Sequence, residues 1–261
     1  MKVRQLNECT ALLTGATTSI GFESAAQLAE AGVPRIMIVG RSEERGKKAV
    51  DAIKARAPGC DVRFFSGDPT KYAGAEKIVQ AAIDAFGAID ILVNSIPGPS
   101  NGTPAPFHQK DPAELDDLIT YHFSANVYMC RAALPFMIER EGGSIINFTS
   151  DAAKIATPGE AVIGGGKAGT TMFSRTIALE QARNGIRVNI ITPSIVGDTS
   201  GWDRVMANEF SKKLFEKAVK KAKLGLVTPV DIAPLVVFLA GPGSAKITGQ
   251  AVSVNGAISA A

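Results

Sequence analysis

The chain has 261 residues, 46% of them hydrophobic and 20% charged, enough to bury a sizeable core. Its 28 Lys plus Arg against 25 Asp plus Glu leave a net charge of +3, too small and too dispersed for a nucleic-acid surface. Three cysteines without a CxxC spacing argue against a disulfide framework or zinc site and for a reducing cytoplasm, and strand-length apolar runs exclude a membrane span.

Taken in chain order, short β-branched runs alternate with longer amphipathic stretches. Ala11–Leu13 reads as a strand and Ser19–Ala31 as a helix. Strand Arg35–Val39, helix Glu43–Arg56, strand Val62–Phe65, helix Ala73–Phe86 and strand Ile89–Val93 follow. A long helix is predicted over Pro112–Arg140, then strand Ser144–Phe148, helix Lys167–Asn184, strand Arg187–Ile191, helix Val230–Leu239 and strand Gln250–Val254. Several strands are apolar at every position, as expected where helices cover both faces of a sheet. Repeated strand–helix–strand units with right-handed crossovers imply an α/β fold: a doubly wound, Rossmann-type parallel sheet. No linker or repeat divides residues 1–261, so a single domain is expected. The lysine-rich stretch Ser211–Lys223 reads as a solvated amphipathic helix. The first glycine turn comes by residue 15, so no signal peptide is expected.

The first strand runs into Thr14-Gly15-Ala16-Thr17-Thr18-Ser19-Ile20-Gly21 and then a helix. Glycine there permits a tight turn, and a helix N-terminus offers backbone N–H groups and positive dipole to a pyrophosphate. With later segments this turn resembles the short-chain dehydrogenase/reductase family, whose TGxxxGIG motif it matches except that Ser19 replaces the middle glycine. Asp68 matches the aspartate that contacts adenine, and Asn94-Ser95-Ile96-Pro97-Gly98 stands where the family has NNAG. Ser150, Lys167, Ile186-Arg187-Val188-Asn189, Pro193-Ser194, Ile247-Thr248-Gly249-Gln250 and Val254-Asn255-Gly256 follow in family order.

The resemblance implies a dinucleotide held by Gly15, Thr17, Ser19, Ile20, Gly21, Arg41, Asp68, Asn94, Lys167, Pro193 and Ile195. At the end of the second strand the chain has Gly40 where a carboxylate would grip a ribose, and Arg41 beside it. Guanidinium pairs with a 2′-phosphate, so NADP(H) is favoured over NAD(H).

The catalytic residues implied are a serine, a tyrosine, a lysine four residues after the tyrosine, and an asparagine on an earlier helix. Ser150 and Lys167 are present. The tyrosine position is Ile163, the asparagine position is His122, and the longer tyrosine-to-lysine spacing of bacterial enoyl-carrier-protein reductases would put the phenol at Glu160. The expected catalytic set is therefore Ser150, Lys167 and His122. His122 is a candidate to donate a proton or orient a water, with Asp151 as another possible acid. Gly164-Gly165-Gly166 costs a helix roughly 1 kcal/mol per residue relative to alanine and would leave space beside the nicotinamide. His108, in a Pro-bounded loop, lacks metal-ligand companions, and no metal is expected. A Ser–His–Asp hydrolase built on Ser150 lacks the GxSxG elbow.

An oxidoreductase reducing a C=C or carbonyl group of a small molecule is the expectation. Some dienoyl-thioester reductases of the family are similar in lacking the tyrosine, and an enolate needs stabilising donors more than a strong acid. The alternatives are a non-redox descendant (isomerase, lyase or cyclase) and a catalytically silent cofactor-binding subunit. The resemblance also implies a homotetramer or homodimer, and a substrate-covering segment near residues 197–224. There Trp202, Met206 and Phe210 recur every fourth residue, as on one helical face.

Overall fold

The computed structural model describes residues 2–99 and 102–260. Seven parallel strands form one sheet in the order β3-β2-β1-β4-β5-β6-β7: β1 Thr10–Thr14, β2 Arg35–Gly40, β3 Asp61–Ser66, β4 Ile91–Asn94, β5 Gly143–Phe148, β6 Ile186–Pro193 and β7 Ala251–Val254. Helices cover both faces: α1 Ser19–Glu30, α2 Glu43–Arg56 and α9 Pro229–Ala240 on one, α3 Tyr72–Phe86, α5 Ala125–Glu139 and α6 Ala161–Gln181 on the other. The double coverage explains the uninterrupted apolar strands. Ala11 and Leu13 join the layer beneath α1 while Leu12 between them joins the layer beneath α3 and α5, and Ile36 and Ile38 alternate with Met37 and Val39 likewise. The strand order reverses between β1 and β4, which opens a crevice beyond their carboxyl ends.

Two helices differ from the sequence expectation where they matter most. The stretch predicted as one helix over residues 112–140 is divided into a 3₁₀ turn Pro112–Glu114, α4 Leu115–Ile119, a π-helical turn Thr120–Ser124 and α5. One wide turn inserts an extra residue and centres it on His122, whose backbone carbonyl accepts a 2.7 Å hydrogen bond from the Thr170 hydroxyl on α6. α6 in turn starts at Ala161, six residues before the predicted Lys167, and takes in all three glycines. Packing accounts for two of them: a methyl group at Gly164 would lie 2.8 Å from the Ala152 carbonyl oxygen, and one at Gly166 would lie 2.9 Å from His122 Cβ. α7 Ser200–Ala207 and α8 Glu209–Val219 complete the fold. Among the described residues no helix is long and apolar enough to cross a membrane. Cys9, Cys60 and Cys130 are buried and form no disulfide.

Candidate active site

The turn between β1 and α1 is built around contacts that only glycine allows. At Gly15 φ is +62°, and a methyl group there would lie 2.1 Å from the Ser95 carbonyl oxygen; at Gly21 it would lie 2.4 Å from Gly15 O. Thr18, at the N-cap of α1, makes no side-chain bond to the first turn, so those N–H groups remain available to an anion. Ser19 adopts φ +53°, the left-handed conformation natural to glycine. Serine there costs about 1 kcal/mol. Ser19→Gly should therefore raise the melting temperature by about 2–4 °C, measured by thermal unfolding; an unchanged or lower value would mean that the hydroxyl repays the strain.

Arg41 lies just past β2, exposed, with Nη1 donating to the Tyr121 hydroxyl at 2.8 Å and its guanidinium 5.7 Å from that ring's centre. Tyr121 belongs to the π-helical turn beside His122. Thr17 packs against Gly40, where a methyl group would lie 2.7 Å from Thr17 Cγ2, so no side chain fits at the strand end without moving the threonine. Asp68 is exposed after β3 and accepts from Thr70 N at 3.0 Å. Asn94 departs from the expectation of a cofactor contact. Its side chain is fully buried, donating to Asn147 Oδ1 at 2.9 Å, and Asn147 donates to Ser174 on α6 at 2.8 Å. This amide chain ties β4, β5 and α6 together beneath the site.

A cavity of about 670 Å³ occupies the crevice. Gly15, Ser19, Ile20, Gly21, His122, Ser150, Lys167, Pro193 and Ile195 all line it; Thr17, Arg41, Asp68 and Asn94 do not. Its outer wall comes from α7 and α8, through Trp202, Val205, Leu214 and Phe215. The predicted face of Trp202, Met206 and Phe210 is broken, because Asn208 ends α7 and caps α8 by accepting from Ser211 N at 3.1 Å. Phe210 lies in the first turn of the next helix and packs on Gly159, where a methyl group would lie 2.5 Å from its ring. The lysine-rich helix likewise starts at Glu209 rather than Ser211.

At the floor of the cavity Ser150 Oγ accepts from Ala152 N at 3.2 Å, which leaves its own proton to donate. Lys167 is buried and donates to the Phe148 carbonyl at 3.1 Å; desolvation lowers its pKa to about 8. Ile163, one helical turn before it, lines the same wall and is 9% exposed. His122 is buried with neither ring nitrogen hydrogen-bonded, and a methyl group at Gly98 would lie 2.9 Å from its Cε1. Desolvation first, and the Lys167 charge second, hold its pKa down to about 3. His122 is thus a neutral imidazole near pH 7, able to hold a hydroxyl or water but not to deliver an imidazolium proton, which narrows the role expected of it.

Asp151 is no free acid. Its carboxylate accepts from Ser253 at 3.1 Å, from Asn255 at 2.6 Å and from Ser259 at 2.8 Å, pinning the C-terminal segment to the site. Tyr121 is engaged by Arg41, Tyr72 stacks edge-on to Tyr128, and no tyrosine lines the cavity. Among the described residues no group of three or more His, Cys, Asp or Glu side chains could hold a metal ion.

The parallel sheet, the glycine turn at its switch point and the cavity beyond define a Rossmann-type α/β protein. Residues 15–259 match the family described as enoyl-(acyl carrier protein) reductase. The chain is 30% identical to an uncharacterized oxidoreductase of Mycobacterium tuberculosis, over 97% of this chain and 93% of that one. It is 29% identical to a 3-oxoacyl-acyl-carrier-protein reductase of Staphylococcus epidermidis, over 95% and 97% of the two chains. Among solved structures it resembles the NADPH-bound short chain oxidoreductase of Pseudomonas aeruginosa PAO1, described as containing an atypical catalytic center. That likeness has a TM-score of 0.87 and 26% identity, over 98% of this chain and 99% of that one. A dehydrogenase/reductase of Sinorhizobium meliloti matches at TM-score 0.84 and 27% identity, over 97% and 95%. The chain belongs to the short-chain dehydrogenase/reductase family of oxidoreductases.

The residues present fit a dinucleotide. The uncapped first turn of α1 faces the cavity, and the Gly15–Gly21 cradle is one that a single Cβ would fill.

Proposed function

We propose that this chain is an NADP(H)-dependent reductase of a small-molecule C=C or carbonyl group with an atypical way of delivering the proton. The observation that carries the reading is the cavity itself. It brings Ser150, Lys167 and His122 together beyond the glycine turn, and no tyrosine lines it. Gly15, Ser19, Ile20 and Gly21 would hold the pyrophosphate, Pro193 and Ile195 the nicotinamide end, and Arg41 a 2′-phosphate. Thr17, Asp68 and Asn94 shape the strand ends around them. Bound there, the dinucleotide would supply a hydride. Ser150 donates a hydrogen bond from its hydroxyl to the substrate oxygen, and the Lys167 ammonium, desolvated and fixed on the Phe148 carbonyl, stabilises negative charge growing there. Neutral His122 accepts from a substrate hydroxyl or a water and so orients it. A conjugated C=C is the most economical substrate, because its reduction passes through an enolate that these donors suit. The NADPH bound by the Pseudomonas neighbour and the oxoacyl and enoyl chemistry in the names of relatives support the reading.

The reading takes the protein as a cytoplasmic homodimer or homotetramer. Ile138 on α5 and Met172 and Leu179 on α6 are exposed at 41%, 60% and 80%, and they support packing of these helices against a second copy. α7 and α8 form the substrate cover.

The test is a fluorescence titration with NADPH and NADH, followed by NADPH oxidation with enoyl thioesters, enones and ketones. NADPH should bind at least about tenfold more tightly than NADH. Arg41→Ala should weaken NADPH about 10- to 100-fold, the loss of a charge-assisted bond or two, and leave NADH within about twofold. Equal losses for both cofactors would remove Arg41 from the phosphate site, and binding of neither would end the redox reading.

A further inference from the structure

The reading above, on which this inference rests, leaves the source of the substrate's proton unassigned. Among the described residues the ionisable side chains that line the cavity are few, set among neutral serine, threonine and tryptophan side chains. Ser150 is a weak acid, His122 is held neutral, and Asp151 is bonded on both oxygens by the C-terminal segment. Lys167 is fixed to a backbone carbonyl, and Arg204, Lys217 and Lys221 sit exposed on α7, α8 and the turn after it. The remaining one is Glu160.

Glu160 is the residue before α6, on the same wall of the cavity as Ile163 and Lys167. Among the described residues its carboxyl takes part in no hydrogen bond and no ion pair, and it does not cap the helix behind it. The loop leading to it presents Ile155, Ala156, Thr157 and Pro158 to the cavity. That loop is held rigidly: Glu160 N donates to Thr157 O at 3.1 Å, Ala105 N donates to Gly159 O at 3.0 Å, and Phe210 packs on Gly159. Glu160 is half-buried, and a carboxyl partly withdrawn from water without a protein partner is unfavourable for folding. Such a group inside a reactive cavity marks a functional acid.

We propose that Glu160 is the catalytic acid of this active site, giving its proton to the substrate. The O–H bond of the protonated carboxyl breaks as a new bond forms at the enolate α carbon, or at the carbonyl oxygen of a ketone. The electron pair for the reduction arrives as the hydride already described, and the carboxylate left behind takes a proton back from water. Burial supports the assignment by pushing the carboxyl up to about 7, so that it is largely protonated in mildly acidic solution and ready to give the proton up near neutrality.

Two measurements test this. Turnover on an accepted enoyl thioester or ketone should fall above about pH 7. Glu160→Gln should lower kcat at pH 6 about 100-fold or more and erase that limb, leaving only the fall set by Lys167 nearer pH 8. Glu160→Asp should recover part of the rate. NADPH affinity, unchanged in both variants, reports that they fold. Independently of turnover, difference infrared spectroscopy of the cofactor-free protein should show a protonated-carboxyl stretch at pH 6 that is lost by pH 8 and absent from Glu160→Gln. A Glu160→Gln enzyme with the wild-type rate and pH profile, or a Glu160 already ionised at pH 6, would overturn the acid role alone. Failure of the wild-type chain to bind either dinucleotide or oxidise NADPH would overturn the reductase reading, and the acid role with it.

Discussion

Replacing Lys167 by methionine is expected to lower kcat by about two to three orders of magnitude while making the folded protein more stable at neutral pH. The ammonium is buried, and among the described residues its hydrogen-bond partner is the Phe148 carbonyl. Burial brings its pKa from 10.5 in the unfolded chain to about 8 in the native one. Below pH 8 both states carry the charge, and only the folded state bears the cost of desolvating it, on the order of 3 kcal/mol. Between pH 8 and 10.5 the unfolded chain binds the extra proton, so wild-type stability rises across that window and the advantage of methionine fades. Thermal unfolding at pH 7 and pH 10 alongside steady-state kinetics reads both effects. A Lys167→Met protein less stable than wild type at pH 7 would mean that the ammonium has better partners than the Phe148 carbonyl. An unchanged kcat would remove it from the chemistry.

The second large effect is a gain. Ile163 lies one turn before Lys167 on α6 and lines the cavity, and His122 faces the site from the π-helical turn. Ile163→Tyr combined with His122→Asn should place a phenol beside the ammonium, whose charge lowers the phenol pKa from its ordinary value near 10. NADPH-dependent reduction of a simple ketone should then rise at least about tenfold over the parent. Intact folding and NADPH binding without any gain would mean that position 163 does not face the reacting carbon.

Much of this site was legible because it rests on local rules. The Gly15–Gly21 turn follows a strand buried on both faces, and chain topology then brings Ser150, Lys167 and Pro193 to the same end of the sheet without any contact having to be known. The residues that resisted reading depend on distant partners. Nothing near Asp151 announces that Ser253, Asn255 and Ser259 saturate its carboxylate. Asn94, which matches a cofactor-binding motif, spends its amide on Asn147 one strand away. Glu160 stood out in the sequence only as a position that was not tyrosine. A lone acid in a Pro-Gly-Glu turn before a helix was the available signal, and its weight comes from the cavity around it.

The strand periodicity, the glycine turn, Arg41 after the second strand and the missing phenol at Ile163 belong to residue identity and spacing, because backbone sterics and side-chain chemistry act within a few residues. Where α6 begins, where the helix around His122 widens and where Asn208 separates α7 from α8 belong to packing. Gly164 and Gly166 stand in the first turns of α6 because Ala152 and His122 need the room, and the π-helical turn stands because Thr170 satisfies the His122 carbonyl from another helix. The protonation of the site is decided at the same level. Lys167, His122 and Glu160 all depart from their ordinary pKa values chiefly by desolvation, a property of the folded cavity that exists only when distant segments close around it.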